Sequence, residues 1–256
     1  MLYMKDFDAK KEVNNIINFI RDYYNKNNLG GVILGISGGK DSAVVAGLFS
    51  LALGSENVIG VTMPCHSRSS DKSDAKIVSD HFGFELINFD LTNVYNSFKN
   101  ELTNLGDFDS DTTKNSDINL KPRMRMSTLY YLAAMYSSIR GKTYLVAGTS
   151  NRCEIFVGYF TKGGDNVCDI AVIADYTVEE VIKIGEYIGV PLKVLYKTPD
   201  DGLSNLSDED KLGVKYSEIA AYERDVNSVP SEIAQKIKKL HDGSLHKKNI
   251  PTYRRK

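Results

Sequence analysis

Apolar positions along this chain switch repeatedly between two periods. Val13, Ile16, Ile17, Ile20, Tyr23 and Tyr24 recur at helical spacing, which predicts an amphipathic helix over about 9–27 that closes near Gly30 and Gly31. Val32 to Ile36 follows as a short continuous apolar run with β-branched residues, the pattern of a strand buried on both faces of a parallel sheet. It leads through a glycine-rich turn into the apolar helix that begins AVVAGLFSLAL. The alternation continues with a strand at 58–62, a helix at about 71–82, a strand at 84–89 and a helix after Asp90. Gly106 to Lys121 has few large apolar residues and many turn formers, so it is expected to be a mobile surface loop. A helix over about 122–139, a strand at 144–147, a polar glycine-bearing loop around 162–166 and a helix at 178–188 come next. Two shorter helical patterns close the chain. Strand and helix at this cadence imply right-handed crossovers, hence an α/β fold with a parallel sheet and helices on both faces. With no linker, repeat or low-complexity tract, residues 1–256 are expected to form a single domain.

Composition narrows the class. The chain is 42% apolar and 25% charged, which excludes disordered and collagen-like readings. Lys plus Arg number 32 and Asp plus Glu 33, giving a net charge of −1, so no global field favours nucleic acid or an anionic membrane. Any anionic ligand must then be held by local cations. Cys65, Cys153 and Cys168 are odd in number and lack metal-ligand spacing, which fits a reduced, cytoplasmic setting. The most apolar stretch, from Ala43 to Gly54, is too short to span a bilayer, so a membrane protein is not expected.

The candidate chemistry begins at Gly35-Ile36-Ser37-Gly38-Gly39-Lys40-Asp41-Ser42, between a buried strand and a helix, where α/β sheets bind phosphate. Gly35 and Gly39 are too close for a Walker A loop, Lys40 is followed by Asp41, and no dinucleotide GxGxxG is present. A turn that merely caps its helix through Ser37 or Asp41 is the alternative. The segment resembles the SGGxDS loop of enzymes that split ATP between its α and β phosphates, the adenine nucleotide alpha hydrolase-like superfamily.

Further segments sharpen the resemblance. Gly148-Thr149 through Glu154, Gly158 through Asp165 with Asp169, Asn119 through Met126, and Ser207-Asp208-Glu209 with Leu212-Gly213 and Tyr216 are similar to segments of ammonia-dependent NAD synthetases. The resemblance covers nearly the whole chain. It implies ATP-dependent amidation of deamido-NAD⁺ by ammonia to NAD⁺, through an adenylated intermediate, with release of pyrophosphate and AMP. It further implies Mg²⁺ on Asp41 and Glu154. ATP would lie on Gly35, Ile36, Ser37, Gly38, Gly39, Lys40, Asp41, Ser42, Thr149 and position 200, which is Asp200 here. Deamido-NAD would lie on Arg123, Lys162, Asp169, His246 and Lys247. For Arg123, and for the His246-Lys247 pair, a solvated charged face is the alternative.

Two departures bear on the phosphates. Val178 stands where the family carries a lysine, and Asp200 where it carries a hydroxyl residue, leaving Lys40 and Lys197 as candidate sources of positive charge. The resemblance also implies a homodimer. Free ammonia is the expected nitrogen donor, since the synthetase part accounts for the chain's length. Rival readings are another enzyme of the superfamily and an ATP-binding regulatory module.

Overall fold

The computed structural model describes residues 7–66, 69–106, 108–197 and 207–255. In chain order the elements are α1 (Ala9–Lys26), β1 (Gly31–Gly35), α2 (Lys40–Leu53), β2 (Val58–Thr62), α3 (Ser69–Phe82), β3 (Glu85–Asn88), α4 (Thr92–Leu102) and α5 (Ser110–Arg140). They continue with β4 (Tyr144–Gly148), α6 (Arg152–Val157), β5 (Ile170–Ala171), α7 (Val178–Ile188), α8 (Leu192–Leu195), α9 (Asp208–Leu212), α10 (Tyr216–Arg224) and α11 (Ser231–Lys248). The strands form one parallel sheet in the order β3-β2-β1-β4-β5, as the alternating pattern predicts.

Alternate residues of β1 feed two cores, as the pleat requires. Val32 and Leu34 pack with α1, α2, α3 and α7, whereas Ile33 points to the other face, against residues of α4 and α5. The apolar stripe of α1 is part of that first core, because Val13, Ile16, Ile20 and Tyr24 are all buried. A smaller third cluster joins α6, α10 and α11 through Cys153, Val157, Tyr216, Ile219 and Ile237.

One expected element is corrected. Gly106 to Lys121 is not a surface loop: α5 begins at Ser110 and runs unbroken through Pro122. Asp109 caps it by accepting from the Thr112 backbone N–H at 2.7 Å. Lys99 on α4 pairs with Asp117 at 2.5 Å, and the Lys121 ammonium lies over the Tyr95 ring. The segment lacks large apolar residues because it is the solvated half of a long helix, held by polar contacts that no periodicity reveals. The two-residue β5 is likewise too short to carry a pattern.

Strand order reverses beside β1: β2 and β3 lie on one side, β4 and β5 on the other. The turns that leave the carboxyl ends of β1 and β4 therefore diverge and open a crevice between them, the usual ligand position of an open α/β sheet. Because β1 carries both cores, Ile33→Ala and Leu34→Ala, at fully buried positions, are each expected to lower the unfolding free energy by about 2–5 kcal/mol, measured by urea denaturation.

Candidate active site

The turn after β1 is tied to itself. Gly38 adopts a left-handed φ of 79°, the Gly39 N–H donates to Ser37 Oγ at 3.2 Å, and Ser42 Oγ donates to the Gly39 carbonyl at 3.1 Å. The Ser37 N–H meets Ser42 Oγ at 3.3 Å. α2 starts from Gly39 with no side chain capping it, so neither Ser37 nor Asp41 serves as the cap. First-turn N–H groups left without a side-chain partner at a helix start make an anion site.

Across the crevice, α6 opens with a capping box: the Glu154 N–H donates to Asn151 Oδ1 and the Asn151 N–H to Glu154 Oε2, both at 3.1 Å. The fully buried Asn151 amide also donates to Asp41 Oδ1 at 3.3 Å, so one side chain links the two turns. The sequence reading missed Asn151, although Asn151-x-x-Glu154 is a legible cap signature. On its other oxygen Asp41 accepts from Lys40 Nζ at 3.0 Å, and Lys40 is itself buried. Burial works against the Lys40 ammonium, but Asp41, with Glu154 and Asp208 near, outweighs it and raises the group. Burial and then the charge of Asp41 push Glu154 well above the usual carboxylate range. Two carboxylates forced together at a phosphate loop suit one hard cation, whose remaining ligands would be phosphate oxygens and water. No cluster of three metal-ligating side chains occurs among the described residues.

Beside the loop lies a cavity of about 290 Å³ lined by Lys40, Val178, Lys197, Ser207, Glu209 and Tyr216, among others. Lys40 and Lys197 thus border the same space as Val178. Lys197 pairs there with the buried Asp74 at 3.0 Å. Tyr216 stands out: its hydroxyl is buried and has no hydrogen-bond partner among the described residues. Burial first, and then the charges of Glu154 and Asp208, keep it protonated. An orphaned buried hydroxyl costs about 1–3 kcal/mol, so one at a ligand cavity signals an absent partner. Thr149 follows the last residue of β4 at the same end of the sheet. Asp200 lies outside the described residues.

A second group of predicted residues is joined by a chain of contacts. Arg123 Nε on α5 donates to the Lys162 carbonyl at 3.2 Å, and Lys162 Nζ to the His246 carbonyl at 2.8 Å. Lys247 Nζ donates to the carbonyls of Gly158 and Phe160. α11 comes this close because Gly158, at φ 68°, has no side chain: a Cβ there would lie 2.0 Å from that of Ser244. Gly164 similarly packs on Pro122 beside Arg123. Arg123, Lys162 and Lys247 each donate to a neutral carbonyl, and the charge of Lys247 also reaches the buried Asp165 carboxylate. Asp169 differs, since its two oxygens accept from the Val146 N–H and the Tyr130 hydroxyl.

A family model described as NAD synthase matches residues 12–251. The NH(3)-dependent NAD(+) synthetase of Carboxydothermus hydrogenoformans is 36% identical over 94% of this chain and 96% of its own. Among solved structures, that of NMN synthetase from Francisella tularensis has a TM-score of 0.85 at 28% identity, covering 97% of this chain and 99% of its own. That of the NH3-dependent NAD synthetase from Campylobacter jejuni has a TM-score of 0.78 at 26% identity, covering 97% and 100%.

Two outcomes test this geometry. Asn151→Ala removes the side-chain cap of α6 and the amide bond to Asp41, leaving Asp41 to Lys40 alone, and should destabilise the fold by about 0.5–2 kcal/mol. Glu154→Gln should act oppositely. With its folded-state pKa raised, Glu154 holds a proton that the unfolded chain loses above about pH 4.3, so stability falls as pH rises through the folded value. The thermal midpoint of the Gln variant, measured from pH 4 to pH 8, should gain on the parent as pH rises.

Proposed function

Since the chain belongs to the NAD synthase family and catalyses ATP-dependent amidation of deamido-NAD⁺ by ammonia to NAD⁺, we propose that the crevice between β1 and β4 adenylates the substrate while the α5 and α11 cations hold it. The observation that carries this reading is the meeting of Asp41 and Glu154 from two different turns, bridged by Asn151, beside free helix N–H groups.

The substrate carboxylate attacks the α-phosphorus of ATP and pyrophosphate leaves; ammonia then adds to the acyl carbon and AMP departs. Converting the carboxylate into an acyl phosphate gives it a good leaving group, so no protein nucleophile is required. The backbone N–H groups of the 37–42 turn hold phosphate oxygens where charge develops, and Lys40 adds a buried cation there. Mg²⁺ held by Asp41 and Glu154 would neutralise the departing pyrophosphate. Arg123, Lys162 and Lys247 grip the dinucleotide's phosphates, which a chain of net charge −1 can bind only through local cations. Thr149, Asp169, His246 and Asp200 complete the proposed contacts. We further read the 256 residues as one working unit that acts as a homodimer in the cytoplasm. Among the described residues no helix is long and apolar enough to cross a membrane.

Likeness to the Francisella NMN synthetase raises a second reading, in which the mononucleotide form of the acid is the preferred substrate. One assay separates the readings: ATP, Mg²⁺ and ammonium with deamido-NAD⁺ or nicotinate mononucleotide, following pyrophosphate and the amide product. Deamido-NAD⁺ is expected to give the higher kcat/KM, and glutamine should not replace ammonium. Asp41→Ala or Glu154→Ala should cut the rate about 10²-fold or more, while Arg123→Ala and Lys162→Ala chiefly raise KM for the dinucleotide. Near-parental rates in Glu154→Ala at low Mg²⁺ would refute the metal assignment.

A further inference from the structure

Tyr216 opens α10 and is fixed from both sides. Its backbone N–H donates to Glu209 Oε1 at 2.8 Å, its carbonyl accepts from Cys153 Sγ, and its ring packs in the cluster with Ile219 and Ile237. Only 4% of the residue is exposed. A ring held this way cannot swing to find a partner, and its hydroxyl has none among the described residues. Yet the residue lines the cavity beside the phosphate turn, and the Lys40 ammonium sits 6.0 Å from its ring centroid. A phenol kept neutral by its surroundings donates best to an anion. Buried donors in native proteins are satisfied with few exceptions, and a ligand entering the cavity would supply the acceptor.

We propose that Tyr216 is a pyrophosphate-binding residue, its hydroxyl donating to an oxygen of the β–γ portion of ATP alongside Lys40. The Lys40 ammonium near the ring and the turn at 37–42 beside the cavity place the hydroxyl where a phosphate oxygen would arrive. The inference rests on the adenylation reading given above and deepens it, by naming what fills the space next to Val178.

Tyr216→Phe removes the hydroxyl and keeps the ring. Calorimetric titration of inorganic pyrophosphate with Mg²⁺ should show affinity weakened about tenfold or more in the variant, the loss expected for one hydrogen bond to a charged group. Its thermal midpoint should stay level or rise, because a buried orphan has been deleted. In the forward reaction kcat should fall while KM for deamido-NAD⁺ holds. Pyrophosphate affinity within about twofold of the parent would overturn the assignment of Tyr216 and leave the adenylation reading standing. A lowered midpoint with unchanged affinity would overturn it too, in favour of a structural hydroxyl. Absence of both pyrophosphate binding and NAD⁺ formation in the parent protein would instead sink the adenylation reading itself.

Discussion

Two carboxylates, Asp41 and Glu154, are held within mutual influence in a part-buried crevice, and much of the molecule exists to impose that proximity. They come from turns after β1 and β4, which are 113 positions apart in sequence and adjacent only because the sheet reverses its order there. Left alone, the pair resists: Glu154 is driven toward its neutral form by burial and by Asp41. Asn151 and Lys40 ease the strain by donating to Asp41, one through an amide and one through a buried ammonium. Lys40 offsets one carboxylate, and the second is accommodated by the raised proton affinity of Glu154. That balance is what the proposed metal-bound triphosphate would draw on.

The same logic organises the cationic side. Arg123, Lys162 and Lys247 come from α5, the turn at 161–166 and the end of α11, and each donates to a backbone carbonyl. A carbonyl orients a cation without neutralising it, which is what the proposed grip on the dinucleotide would need. The close approaches at Gly158 and Gly164 bring these elements together, one against Ser244 and one against Pro122. Stability and function pull apart at both ends of the crevice, since Glu154 and the Tyr216 hydroxyl are each costly in the empty fold.

Much of this was legible in the amino-acid order. The run Val32 to Ile36 and the spaced segments from SGGKDS through Ser207 to Tyr216 announced a parallel sheet and a family. Short-range chemistry explains why: strand period, glycine conformations and caps are local. Even Asn151 could have been read from its spacing to Glu154.

Other features needed three dimensions. The start of α5 is exposed and polar, and its helical state depends on Asp109, on Lys99 across from Asp117 and on the packed turns that follow, none of which leaves a period. The missing partner of Tyr216 is also invisible in sequence, because an orphan is defined by everything around it. Lys40 and Lys197 were legible as charges, but that both border the space beside Val178 was decided by the packing of α7 against the α2 turn. Sequence determined the strand-and-helix alternation and the segments that carry the candidate site groups, since these lie in contiguous residues. Tertiary structure decided which of those groups face one another, because that depends on strand order and on contacts between residues more than a hundred positions apart.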